Sequence, residues 1–180
     1  AIYRVKIVYF YTILSGILLF FVAGITSLFA YVTPESGKVY RIHNVKTNKV
    51  IGEDCIARQL ASVDAAGNDD FKQLWLLRES SNGYTIQNAY SGQYLHPCAQ
   101  QSTQIYPTSA EEAVMYLTQV SGTQYAIGQT TGAYLHLDNS NNIVRWWDKD
   151  NTSSQWQFEE VKVSEEAISL QQAAFQEFYA

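Results

Sequence analysis

The chain has 180 residues, a formal net charge of −5 and two cysteines, which suits one domain with appendages. No Lys/Arg cluster interleaves with aromatic residues, and this excludes nucleic acid as the expected partner.

The first element is apolar. No charged residue occurs from Ile7 to Thr33, and a membrane-crossing helix needs about 20 apolar residues. Arg4 and Lys6 precede the run and Lys38 is the next basic residue, so the N-terminus is expected to stay cytoplasmic and the remainder to be exported. A cleaved signal peptide competes with a retained anchor. The run is longer than a signal-peptide core, and Leu28-Phe29-Ala30 carries a bulky Leu where cleavage wants a small residue, so the anchor fits better. The expected organisation is a membrane anchor or signal segment at 1–33, a β domain at 34–163 and a helix at 164–180. The domain then lies at a cell surface or in an envelope, or is secreted if residues 1–30 are removed.

Past Pro34 three stretches read alike at a spacing of about forty residues, a period that signals repeats. Each opens on Tyr-x-Ile: Tyr40 and Ile42, Tyr84 and Ile86, Tyr125 and Ile127. A polar turn follows, then Val50-Ile51 in the first, Tyr94-Leu95-His96 in the second and Tyr134-Leu135-His136 in the third. Each closes on an apolar strand holding Trp75, Tyr116 or Trp156, with Val114 and Tyr116 set against Gln73 and Trp75 in the second repeat. Alternation over five or six residues between Gly, Asn and Ser turns is a strand signal, and Asn82-Gly83 and Ser91-Gly92 are expected to supply positive φ. Repeats at about 37–80, 81–121 and 122–162 are each too small to fold alone, so an all-β domain with pseudo-threefold symmetry is expected. Cys55 and Cys98 fall at similar places in successive repeats, which tends to hold them apart.

Tyr-x-Ile and a turn in all three stretches, Gly-x-Tyr-Leu in the second and third, and a closing Gln-x-Trp in the first resemble the ricin-type β-trefoil lectin family. Gln73-Leu74-Trp75 matches its closing motif, and Ser154-Gln155-Trp156 is a shifted version. The resemblance implies shallow glycan binding: an acidic residue after the second strand takes sugar hydroxyls, an aromatic ring stacks on the pyranose, and polar residues near Gln-x-Trp complete the site. A sugar offers C–H faces and hydroxyls together, which this mixture suits.

The third repeat is the best candidate, with His136, Asp138, Asn139, Asn142, Trp146, Trp147, Asp148, Asn151 and Gln155 as the expected carbohydrate-binding residues. Trp146 stands where the family's stacking ring is found. Strand alternation predicts that Trp146 and Trp147 face opposite ways. His136 stands in place of the family's acidic residue, a departure from its galactose-type pattern; Asp138 is placed to substitute two residues on. The blander reading makes Trp146 a barrel-cap residue. The second repeat offers Tyr106 with His96 and Gln100, and the first offers Asp54 without an aromatic partner.

Neither a zinc spacing nor a nucleophile elbow is present, so no metal, no cofactor and no catalysis are expected. Asn151-Thr152-Ser153 matches a glycosylation acceptor. In the tail, Ser164 caps a helix whose first turn carries Glu165 and Glu166, and Ile168, Gln171/Gln172, Phe175 and Phe178 form one stripe. That stripe either packs on the trefoil or meets a protein partner through residues 164–180. The leading expectation is a membrane-tethered glycan-binding module. Its rivals are an assembly subunit built on a degenerate trefoil and a trefoil protease inhibitor.

Overall fold

The computed structural model describes residues 30–54, 59–96, 108–129 and 133–179. The expected N-terminal helix, Cys55, Cys98, Gln100 and Tyr106 lie outside these residues. Among the described residues no helix is long and apolar enough to cross a membrane.

Three sets of four strands follow one another: β2 to β5 (Val39–Asn44, Val50–Asp54, Gln59–Val63, Trp75–Ser80), β6 to β9 (Gly83–Asn88, Tyr94–Leu95, Thr108–Ser109, Tyr116–Ser121) and β10 to β13 (Gln124–Gly128, Tyr134–Leu137, Ile143–Trp146, Trp156–Glu160). The first and fourth strands of each set build a barrel, paired β2–β5–β6–β9–β10–β13 and back to β2. The β6–β9 link is the bridge Tyr84↔Met115, whose backbone N–H groups each donate to the other's carbonyl at 2.8 Å. The second and third strands form three hairpins, hung from the barrel at His43↔Val50, Gln87↔Tyr94 and Gly128↔Tyr134. This is a β-trefoil.

The pairing gives the repeats a common register. Tyr40↔Trp75, Tyr84↔Met115 and Tyr125↔Trp156 are equivalent pairs. Met115, and not Tyr116, therefore occupies the tryptophan position of the second repeat; Tyr116 is exposed. The one-residue slip matters because alternate strand residues face opposite ways. Tyr40, Ile42, Ile86, Tyr125, Ile127, Trp75, Met115 and Trp156 all lie in one apolar core. Each repeat contributes half-covered strands, so burial is complete only when the three share that core.

Two hydrogen-bond devices recur. The indole Nε1–H groups of Trp75 and Trp156 donate to the carbonyls of Ile51 and Leu135, at 2.9 and 3.0 Å, tying a hairpin to the barrel. Buried Asn44 donates to the Ser153 carbonyl and accepts from the backbone N–H groups of Lys46 and Thr47; Asn88 does the same with Lys72, Tyr90 and Ser91. Each asparagine thus satisfies backbone groups that a tight turn leaves unpaired. In the Ser81-Asn82-Gly83 turn the positive φ falls on Ser81, not on Gly83. Gly83 is needed for another reason: a Cβ there would meet the Met115 carbonyl at 2.6 Å.

Strand β1 (Tyr31–Val32) lies within the stretch expected to cross a membrane, yet it pairs with β13. The compact unit begins at Tyr31 rather than at residue 34. Helix α1 (Glu165–Tyr179) follows β13, and the Ser164 hydroxyl accepts from the Ala167 N–H as its cap. Ile168 and Phe175 are buried, Gln172 donates to the Asn88 carbonyl, and Phe175 meets the Tyr90 ring edge-on at 5.4 Å. The helix packs on the trefoil through this face. Phe178 does not join the stripe; it is 80% exposed.

Candidate functional site

The third hairpin, β11–β12, carries a cluster of polar and aromatic residues. Its register places His136 opposite Val144 and Tyr134 opposite Trp146. Together with the loop before β13 it walls a cavity of about 350 Å³ lined by Lys46, His136, Asp138, Asn139, Val144, Trp146, Asn151 and Ser153. That volume lies at the small end of ligand pockets.

Each polar group is held differently. His136 is buried, and its Nδ1 lies 2.8 Å from the Ser154 hydroxyl. Burial pushes its pKa down; Asp138 opposes this, and Lys46 adds to it. Ser154 stands where the family motif has Gln, so the departure from that motif supplies the partner of the histidine. Asp138 Oδ1 accepts from the N–H groups of Ser140 and Asn142, both at 2.8 Å, and Oδ2 accepts from the Asn142 amide at 3.3 Å. These bonds fix the loop tip, where Asn141 has φ +62°. Asn151 caps a single 3-10 turn (Thr152–Ser154) by accepting from the Ser153 N–H.

The structure brings five of the nine expected residues to this cavity: His136, Asp138, Asn139, Trp146 and Asn151. The other four do supporting work or lie outside it. Asn142 orients Asp138. Asp148 accepts from the Asp150 N–H and shapes the loop. Gln155 is buried and donates to the Lys149 and Asp150 carbonyls, tethering that loop. Trp147 lies outside the cavity, 62% exposed.

The expectation that Trp146 and Trp147 diverge is overturned. Their rings stack, with centroids 3.9 Å apart and planes at 22°. Strand β12 ends at Trp146, so alternation does not extend to its neighbour.

Lys46 was not foreseen, because it belongs to the first repeat. The closed barrel sets the turn after β2 beside the loop before β13: the Val45 N–H donates to the Gln155 carbonyl at 2.9 Å. The ammonium of Lys46 makes no ion pair among the described residues. The one sequence signal was that Lys46 follows Asn44 as Tyr90 follows Asn88.

Among the described residues, the cross-strand places equivalent to Trp146 hold no aromatic ring in the other repeats. Partners of Val50, Tyr94 and Tyr134 across the hairpins are Val63, Ser109 and Trp146. In the first repeat Gly52 stands where His136 does, and the turn bearing Tyr90 is covered by Phe175 of α1. Among the described residues no three His, Cys, Asp or Glu side chains gather as a metal site.

A family model described as ricin-type beta-trefoil lectin domain-like matches residues 28–105. The ricin B-like lectin of Macrolepiota procera, solved with lactose, superposes with a TM-score of 0.64 at 18% identity, over 72% of this chain and 100% of that one. The Rhizoctonia solani agglutinin gives 0.61 at 18% identity, over 72% and 99%. An endo-β-galactosidase of Clostridium perfringens that releases GlcNAcα1-4Gal gives 0.61 at 16% identity, over 69% of this chain but 33% of that one. No curated protein matches the chain in sequence. The family model covers less than half of the chain, and at such identities the structures speak for the β-trefoil fold alone.

Proposed function

We propose that the chain is a non-catalytic carbohydrate-binding module with its working site in the cavity of the third repeat, displayed outside the cytoplasm by the apolar run at 7–30. One observation carries the reading. The cavity brings the edge of Trp146 and the side chain of Val144 together with Asn139, Asn151, Asp138 and Lys46. Hydroxyl-rich rings suit this combination of apolar contact and convergent polar partners. The lactose-bound lectin among the structural neighbours supports the same class of ligand. His136 and Ser153 add polar edges, and Val144 extends the apolar floor.

The test is a glycan array probed with the 180-residue chain and with an Asn139→Ala/Asn151→Ala double variant. Both asparagines are exposed, so a folded variant is expected. A glycan signal lost in the variant supports the site. A blank array from a chain with native circular dichroism overturns the reading. Protease protection of the tagged N-terminus in intact cells tests the display.

A further inference from the structure

Trp146 is stacked by two neighbouring rings. His136 stacks against it at 5.0 Å between centroids and 22° between planes, and Trp147 at 3.9 Å and 22°. Two rings this close and this parallel to a third overlap unless they take opposite faces. Their burial agrees: His136 is 9% exposed and Trp147 is 62% exposed. A pyranose packs its C–H face against an aromatic face, so Trp146 offers the cavity an edge and not a platform. The open face in this stack is the outer one of Trp147.

That face is also held ready. The stack fixes the indole before any ligand arrives, which lowers the ordering cost of binding. It stands beyond the cavity wall by 3.9 Å to the Trp147 ring plus one further contact of about 3.5–4 Å. Trp147 does not line the cavity that holds Asn139 and Asn151, whereas Trp146 does.

We infer that the outer face of Trp147 is a second sugar subsite, and that the ligand is an oligosaccharide of at least two units. One unit sets its hydroxyls among Asn139, Asn151 and Asp138. A neighbouring unit lays its apolar face on Trp147. This rests on the glycan-binding reading of the cavity and adds the length of the ligand and the residue that reads it.

The test uses the 180-residue chain on a graded array of mono- to tetrasaccharides that share terminal hexose or N-acetylhexosamine units, compared with Trp147→Ala and Trp147→Phe. Oligosaccharides are expected to outbind the matching monosaccharide by about two- to tenfold, the range for one aromatic stacking contact. Trp147→Ala is expected to remove that gain and leave the monosaccharide signal; Trp147→Phe retains most of it. Iodide quenching of tryptophan fluorescence should fall on adding an oligosaccharide and not a monosaccharide. Equal binding of all lengths, unchanged in Trp147→Ala, overturns this inference and leaves the lectin reading standing. Loss of monosaccharide binding in Trp147→Ala also overturns it, because the ring is then the primary platform. No binding at any length by the folded chain overturns both.

Discussion

Replacing Trp156 by Phe tests how the hairpin of the third repeat is held to the barrel. The indole is 1% exposed and its Nε1–H donates to the Leu135 carbonyl at 3.0 Å. Phenylalanine removes the donor, at about 1–3 kcal/mol for a buried hydrogen bond. It also leaves a small void, at roughly 1 kcal/mol from lost volume. The sum is roughly 2–4 kcal/mol, against a stability of about 5–15 kcal/mol for such a domain. For a domain of this size that lowers Tm by roughly 4–16 °C. Trp75→Phe is the internal control. Its Nε1–H donates to the Ile51 carbonyl at 2.9 Å and its burial is equal, so the stability cost should match. The two should part in function: Leu135 adjoins His136 in the cavity wall, whereas the first hairpin carries no aromatic ring at Val63. Urea unfolding followed by circular dichroism, with unchanged m, gives the stability. Glycan titration of the folded variants gives the affinity. Losses below about 1 kcal/mol in both variants would refute the tether. Equal weakening of glycan binding in both would refute its local link to the site.

The remaining expectations concern the turn, the histidine and the helix. Asn44→Ala strands the Lys46 and Thr47 N–H groups and should cost about 2–3 kcal/mol in urea unfolding, beyond a single average hydrogen bond; it should also displace Lys46 from the cavity. His136, whose pKa burial lowers, is neutral in the fold where the unfolded chain would take a proton. Its contribution to stability is therefore full above about pH 6.5 and declines as pH falls from there toward the folded value. An imidazole NMR titration should place its midpoint below that of an unfolded peptide, and His136→Gln should flatten this part of the stability profile. Phe175→Ala should cost about 3 kcal/mol and speed hydrogen exchange in α1, because the ring is buried against Tyr90. Phe178→Ala, at an exposed position, should stay within about 0.5 kcal/mol of the parent.

The trefoil was legible in the amino-acid sequence because its signals are local. Tyr-x-Ile puts two side chains on one strand face whatever surrounds them, and Ser164 with Glu165 and Glu166 marks a helix start without tertiary help. Recurrence at a constant spacing then requires three like units around one core. The positions of Asp138, Asn139 and Asn151 around one hairpin were legible on the same ground, since they flank it closely in the chain.

Contacts that depend on closure of the barrel were not. Lys46 reaches the third repeat because β2 pairs with β13, which joins the two ends of the fold. Met115 takes the tryptophan position because the Tyr84 bridge sets the register, and a slip of one residue is invisible where the motif has decayed. Trp146 and Trp147 stack because β12 stops between them, and where a strand stops is decided by its partner. Phe178 leaves the helix stripe because the trefoil surface engages Ile168, Gln172, Phe175 and Gln176 and leaves Phe178 exposed. Periodicity within a segment determined each element and its buried face; only long-range pairing, with its cost in loop closure, decided which faces meet and so where a ligand can sit.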